Sequence, residues 1–168
     1  MAEYKLANPT AICIRGFQPS DIRGIHSVLK VEGCVDRENK FTDAEKAIVL
    51  DDIQTRLAHQ NHTDKQPSAD ILLCVDKNKY LLADAKFRQE NVKNKNLSPS
   101  ELRKKLEGSK SIVISDDIVF ANRFYVLFTS RFLTETRLRW LKQQLISSPR
   151  FRFVNALQFR ELFFEPHT

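Results

Sequence analysis

The chain has 168 residues, of which 42% are hydrophobic and 29% charged, a length that suffices for one domain without disulfides or a structural metal. It has neither a charged-plus-apolar leader nor an apolar run near the roughly 20 residues of a membrane span, so we expect a soluble, cytoplasmic protein without a membrane partner. The three cysteines, Cys13, Cys34 and Cys74, lack close pairing, which favours reduced thiols over a disulfide framework or a zinc site.

The net charge of +6 is unevenly distributed along the chain. The first 85 residues hold 11 Lys or Arg against 13 Asp or Glu, whereas residues 86–110 hold eight against three and residues 130–168 hold seven against three. Such clustering favours a polyanionic partner, although many basic proteins bind none.

Two helices are predicted in the first third of the chain. Ser20 is a suitable N-cap for a short helix that ends by Gly33. The sequence TDAE at 42–45 has the capping-box form, and apolar residues follow it at helical spacing to about His59.

Strands and helices alternate in the rest of the chain. Two apolar strands are predicted at 70–76 and 80–88, and Ser98, Pro99 and Glu101 have the pattern of a capped helix that runs to about Leu106. The later elements are strands at 112–114 and 123–130, an amphipathic helix at 136–146, and a Phe-rich segment at 151–164 that is either strand or helix. We predict one α/β domain over 1–168, with a central mixed sheet flanked by helices, a core at 42–130 and a C-terminal extension at 131–168.

The apolar pattern of the hairpin predicts where its charges lie. The odd-numbered residues of both strands are apolar, and side chains alternate between the faces of a strand. Burying both odd sets in one layer requires odd residues opposite odd residues. A three-residue loop, Lys77 to Lys79, satisfies this and predicts Asp70 opposite Lys86 and Leu72 opposite Asp84. Asp70, Asp84 and Lys86 are therefore expected to cluster on the other face.

Two neighbouring carboxylates repel each other unless a cation lies between them. In a site that also binds phosphate the usual cation is divalent, here Mg²⁺ or Mn²⁺. Oxygen ligands, a lysine and an adjoining positive surface together suit phosphodiester hydrolysis. The plainer alternative is an exposed hairpin face with a cross-strand Asp–Lys pair, worth about 0.2–1 kcal/mol.

These residues resemble the PD-(D/E)xK nuclease superfamily. Asp70 corresponds to the first acidic residue, with Pro67 three positions earlier rather than adjacent, and Asp84-Ala85-Lys86 corresponds to the (D/E)xK element. The basic residue Arg88, two positions after the lysine, is a further similarity to the archaeal Holliday-junction resolvases and their relatives. The resemblance implies a restriction-endonuclease-like core of helix, hairpin, helix and strand, metal-dependent cleavage with Asp70 and Asp84 as metal ligands, and Lys86 beside the nucleophilic water.

The superfamily usually adds a glutamate from the preceding helix. Glu45 is the first candidate for this third catalytic and metal-binding acid, but its place in the Thr42 capping box is a sufficient reason for a glutamate there. Asp52, on the same side of the predicted helix, is the alternative. Gln89 is a candidate for lining the site, although an exposed polar residue at a strand end is the plainer interpretation.

A positive surface next to the hairpin is expected to bind nucleic acid, and DNA is favoured over RNA as the partner. Its candidate residues are Arg88, Lys93, Lys95, Arg103, Lys104 and Lys105. The alternative function is a catalytically inactive module of the same fold that binds nucleic acid or a protein. The Phe-rich segment either packs onto the sheet or forms a homodimer interface.

Overall fold

The computed structural model describes residues 2–10, 12–89, 97–145 and 150–164. The strands in these ranges are β1 (Ile22–Gly24), β2 (Lys46–Val49), β3 (Ile71–Val75), β4 (Lys79–Ala85), β5 (Val119–Leu127) and β6 (Phe151–Val154). The α-helices are α1 (Ile25–Val31), α2 (Leu50–Asn61), α3 (Pro99–Ser111), α4 (Glu135–Gln144) and α5 (Ala156–Glu161).

The strands form one six-stranded sheet in the order β1-β2-β3-β4-β5-β6. The pairs from β1 to β4 are antiparallel, while β4, β5 and β6 run parallel to one another. The prediction of an α/β fold with a central mixed sheet flanked by helices is confirmed. Strands from both sides of the predicted core, β1 before residue 42 and β6 after residue 130, belong to this sheet.

Helices cover both faces of the sheet. Even-numbered residues of β3 and β4, such as Leu72 and Leu82, pack with apolar side chains of α2, α3 and α4. Odd-numbered residues, such as Leu73 and Leu81, pack with α1 and α5. The odd face of the hairpin is buried as predicted, but the face that carries Asp84 is buried as well, so the plainer alternative of an exposed charged face is wrong.

The predicted helix from Thr42 to His59 is wrong in its first eight residues, 42–49. Residues 46–49 are the strand β2, whose Ala47 and Ile48 are fully buried, and the helix begins only at Leu50. Thr42 and Glu45 do bond to each other, and the Thr42 backbone N–H also donates to Glu45 at 3.3 Å, but these contacts close a turn. This four-residue segment, of which Ala47 and Ile48 are buried, is stabilised as a strand by pairing with β1 and β3, a long-range effect that a capping motif does not predict.

Other predicted boundaries also change. The helix expected after Ser20 begins at Ile25, after the short strand β1. The strand expected at 112–114 is an isolated bridge between Ile14 and Val113, because α3 continues to Ser111.

The remaining elements are mostly as predicted. Ser98 caps α3 by accepting from the Glu101 N–H at 3.2 Å. The helix predicted at 136–146 is α4, and the Phe-rich segment contains both the strand β6 and the helix α5. Among the described residues, none of the helices combines the length and apolar character that crossing a membrane requires.

Candidate active site

The register of the hairpin brings two carboxylates to the same level. Ile71 pairs with Ala83 and Val75 with Lys79. One step beyond the start of β3, this register places Asp70 level with Asp84. The backbone N–H of Ala85 donates to Asp70 Oδ2 at 2.7 Å, which holds the Asp70 side chain against the end of β4.

The predicted pairs, Asp70 with Lys86 and Leu72 with Asp84, are therefore wrong by two residues, although the odd-to-odd rule and the three-residue loop are correct. The loop is residues 76–78 rather than 77–79, because β3 ends at Val75. Asp76 has a left-handed φ of 54° and accepts from the Lys5 N–H at 3.0 Å. Contact with the start of the chain thus ends the strand one residue early.

Asp84 is a wholly buried carboxylate with two lysine partners. Its side chain is 0% exposed, and Lys86 Nζ lies 3.1 Å from Oδ2. Lys105 Nζ donates to both oxygens, at 3.0 and 2.9 Å. A buried carboxylate is stable only when its charge is compensated, and here Lys105 from α3 and Lys86, the residue after β4, compensate it together.

The position of Lys105 depends on how α3 is anchored beside β3. Ser109, one helical turn after Lys105, is fully buried and accepts from the Ala69 N–H at 2.8 Å. The same hydroxyl donates to the Lys105 carbonyl at 2.7 Å. Ser109 therefore ties the turn of α3 that carries Lys105 to the residue before Asp70.

A glycine allows this close approach. A Cβ added to Gly108 would lie 1.7 Å from the Pro67 carbonyl oxygen, so only glycine fits without a shift of the backbone. The buried side chain of Gln54 donates to the Gly108 carbonyl at 3.1 Å and joins α2 to the same turn. Pro67, noted from the sequence because it precedes Asp70, is thus a packing partner of α3.

The carboxylates of the site interact strongly. Burial, followed by the charges of Asp84 and Glu32, raises the pKa of Asp70 to about 8, although the Ala85 N–H acts in the opposite direction. Burial alone would lower the pKa of Lys105, but the charge and hydrogen bond of Asp84 outweigh it and the pKa is raised. Asp70 thus tends to hold its proton while Lys105 stays charged.

Glu32, at the C-terminal end of α1, is an acidic neighbour that the sequence analysis missed. It is half-buried, and burial followed by the charge of Asp84 raises its pKa, whereas the charge of Arg88 lowers it. Arg88 donates to the Val31 carbonyl at 2.9 Å and packs against Gly33, so it is held at the same helix end. The sequence feature that could have identified Glu32 is its position directly before Gly33, the glycine that ends the first predicted helix.

The two acids proposed from the sequence lie elsewhere. Glu45 lies before the first residue of β2, at the opposite end of that strand from Asp70, because Val49 is the residue that pairs with Ile71. Asp52, in the first turn of α2, forms an ion pair with Arg23 of β1 at 2.7 Å. The structure brings neither to Asp70.

The basic residues predicted to bind nucleic acid are divided among several environments. The Lys105 ammonium donates to the Asp84 carboxylate, whereas Arg88, Arg103 and Lys104 are exposed. Lys93 and Lys95 lie outside the described residues. Gln89 is half-exposed, and its backbone N–H donates to the Lys86 carbonyl at 3.0 Å.

The donor set determines what the site can hold. Mg²⁺ is commonly bound through one or two protein carboxylates and completes its shell with water and phosphate, so Asp70 and Asp84 fit such an ion in type and number. Lys105 faces both oxygens of Asp84 and competes for the same position. Within the described residues, no three His, Cys, Asp or Glu side chains converge closely enough to form a cage for a metal ion.

Comparisons of the chain with protein-family models, with curated proteins and with solved structures give no match.

Proposed function

We propose that the protein is a Mg²⁺- or Mn²⁺-dependent nuclease with a restriction-endonuclease-like core, which hydrolyses phosphodiester bonds of DNA. The observation that carries the proposal is Asp70 level with Asp84 at the ends of two adjoining strands, with Lys86 3.1 Å from Asp84. Two strand-end carboxylates and a lysine two residues after the second are the side chains of the motif that the sequence resembles.

The order of the surrounding elements supports the same proposal. The helix α2, the hairpin β3-β4, the helix α3 and the strand β5 follow one another in the order that the superfamily leads us to expect. β5 pairs parallel to β4, which carries Asp84 and leads to Lys86, so the site lies beside the centre of the sheet. Rigid central elements hold catalytic side chains more accurately than loops do.

Each residue has a distinct role in this proposal. Asp70 and Asp84 hold the divalent ion, which when bound would stabilise negative charge on the phosphate and make water more acidic. Lys86 lies beside the attacking water, and Lys105 adds positive charge near the phosphate. Glu32, directly after α1, replaces Glu45 as the third acidic residue in this proposal, and its charge opposes the ionisation of Asp70.

The test is cleavage of circular DNA, branched DNA and RNA with Mg²⁺, Mn²⁺ or a chelator. Asp70→Asn and Lys86→Ala should each lower the metal-dependent rate by about a hundredfold or more, the usual cost of losing a positioned catalytic group. The matched controls are Asp52→Asn and Glu45→Gln, which remove carboxylates away from the site and should cut as the native protein does. Cleavage that persists in Asp70→Asn and Lys86→Ala would overturn the proposal.

The contact of Lys105 with Asp84 favours a second candidate function, the inactive binding module. Its ammonium already compensates the charge of Asp84, so the carboxylate does not need a metal ion. Lys105→Gln distinguishes the two candidates. Removing one partner of a buried ion pair costs about 3–5 kcal/mol, less here because Lys86 remains. In a nuclease, Mg²⁺ should restore much of that stability by replacing the lost charge. In the module, denaturation curves of the variant with Mg²⁺ and with chelator should coincide.

A further inference from the structure

A cationic cavity lies beside the candidate active site on the same side of the sheet. Its volume is about 140 Å³, close to the roughly 150 Å³ that admits a benzene molecule. The described residues that line it are Leu82, Leu106, Lys110, Phe120, Ala121, Asn122, Arg123, Phe124 and Arg150. No carboxylate is among them.

Of the three described cations that line this cavity, Lys110 and Arg150 are both exposed. Burial, followed by the charge of Arg150, lowers the pKa of Lys110. The Lys110 ammonium lies 5.3 Å from the centroid of the Phe120 ring, which holds it at the cavity wall. Among the described residues, no carboxylate forms an ion pair with Lys110 or Arg150. An anion placed between these two cations would relieve their repulsion.

The strand at the base of the cavity is irregular. Tyr80 pairs with Phe120 and Leu82 with Phe124, so residues 121–123 of β5 lie opposite the single residue Leu81. Extra residues in a bulge stay outside the regular ladder, and bulges occur preferentially next to functional sites. The bulge lies at the cavity, and all three of its residues, 121–123, are among those that line it. Burial raises the pKa of Tyr125, and Arg123, the third cation of the lining, opposes this rise through its charge.

The cavity lies at a useful distance from the carboxylates. Leu82 in its wall and Asp84 lie on the same face of β4, two residues apart, which is about 7 Å along a strand. One nucleic-acid strand can therefore place one phosphate at Asp84 and a nearby phosphate at the cavity.

We infer that this cavity binds a backbone phosphate of the nucleic-acid strand, close to the phosphate that the Asp70–Asp84 site acts on. The inference rests on the proposed function for the identity of the ligand. The anionic group lies between Lys110 and Arg150, and the half-buried Phe120 ring flanks the adjoining sugar or base. The contact is to the backbone, so it carries no sequence preference.

The experiment measures binding of a fluorescent single-stranded DNA oligonucleotide over a series of salt concentrations, in an Asp70→Asn background that leaves the strand uncut. Each lost phosphate contact lowers the slope of log K against log salt by about 0.7 for a single strand. Lys110→Gln and Arg150→Gln should each show this change and weaken binding about fivefold near physiological salt. Lys40→Gln, an exposed lysine on the opposite side of the sheet, makes the same change of net charge and should have a smaller effect on both.

The outcomes separate this inference from the proposed function. If the native protein cuts DNA and the two cavity variants bind like Lys40→Gln, the inference is overturned and the nuclease proposal stands. If nothing is cut but the cavity variants alone lose binding, the cavity is confirmed and the catalytic proposal fails. If no oligonucleotide binds, yet inorganic phosphate raises the melting temperature of the native protein but not of Lys110→Gln, the ligand is a small phosphorylated molecule and the assignment to a strand is wrong.

Discussion

Asp70 is a half-buried acid whose ionisation is opposed by burial and by the charges of Asp84 and Glu32, so its pKa is about 8 in the folded protein. An aspartate in an unfolded chain has a pKa near 4 (about 3.9). A raised folded-state pKa means that the native state binds the proton more tightly. Its stabilising contribution is therefore complete below about pH 4 and is lost as the pH rises through about 8.

Asp70→Asn should remove this pH dependence. With a chelator present, the free energy of unfolding of the native protein should fall between about pH 5 and about pH 9, and the variant should be more stable at the upper end by at least about 1 kcal/mol, the equivalent of one pKa unit. Urea denaturation at the two pH values measures the difference. Asp52→Asn, which changes an exposed carboxylate, should follow the native curve. If Asp70→Asn also followed that curve, Asp70 would not be the titrating group.

The sequence predicts some of these side chains well because their neighbours are local. Asp70, Asp84 and Lys86 belong to one hairpin, and alternation along its strands is enough to place them on one face. Lys105 and Glu32 come from helices on opposite sides of the sheet. Their positions depend on contacts such as Ser109 with Ala69 and Arg88 with the end of α1, between residues 40 and more apart in the chain. Periodicity in a single segment contains no signal for such contacts.

At the scale of elements, the sheet is organised by long-range pairing more than by local motifs. The TDAE motif at 42–45 predicts a helix, yet the residues that follow are the strand β2, because a place between β1 and β3 buries Ala47 and Ile48 completely. The pairing of odd-numbered with odd-numbered residues in the hairpin was predictable, because it depends only on which residues are apolar. Its exact register was not, because contact with Lys5 ends β3 at Val75.

The position of α3 provides the sharpest prediction at this scale. In an exposed helix, replacing glycine with alanine stabilises by about 1 kcal/mol. At Gly108 the new methyl group would overlap the Pro67 carbonyl oxygen. Gly108→Ala should therefore destabilise by about 1–3 kcal/mol, the usual cost of overpacking. It should also weaken metal-dependent activity, because α3 carries Lys105. Chemical denaturation and the cleavage assay measure the two effects.

The neighbouring change Glu107→Ala is the control for α3. Glu107 is exposed on the same turn, so alanine there should change stability by less than about 0.5 kcal/mol. If Gly108→Ala were as stable as this control, α3 would not be packed tightly against the Pro67 segment, and the explanation for the position of Lys105 would fail.

At the scale of the whole molecule, the Phe-rich segment is part of the hydrophobic core rather than an extension beyond it. Phe151, Phe153, Phe159 and Phe163 are all at most 8% exposed within a single chain. The Phe159 ring lies 6.0 Å from Phe41, 5.7 Å from Tyr125 and 5.3 Å from Phe163. Of the two expectations for this segment, packing onto the sheet is confirmed. A homodimer that uses these rings would first have to expose them, at a cost of about 1.5–3 kcal/mol for each side chain.

Phe159→Ala tests whether these rings belong to the core of one chain. The substitution should destabilise by about 3–5 kcal/mol, as for a large buried aromatic side chain, and light scattering should report the same molar mass for native protein and variant. Leu157→Ala lies on the same helix α5 but is 38% exposed, and it should cost less than about 1 kcal/mol because little apolar surface is lost. If the rings instead formed a dimer interface, Phe159→Ala would halve the mass with little change in stability, since an interface residue contributes to association more than to folding.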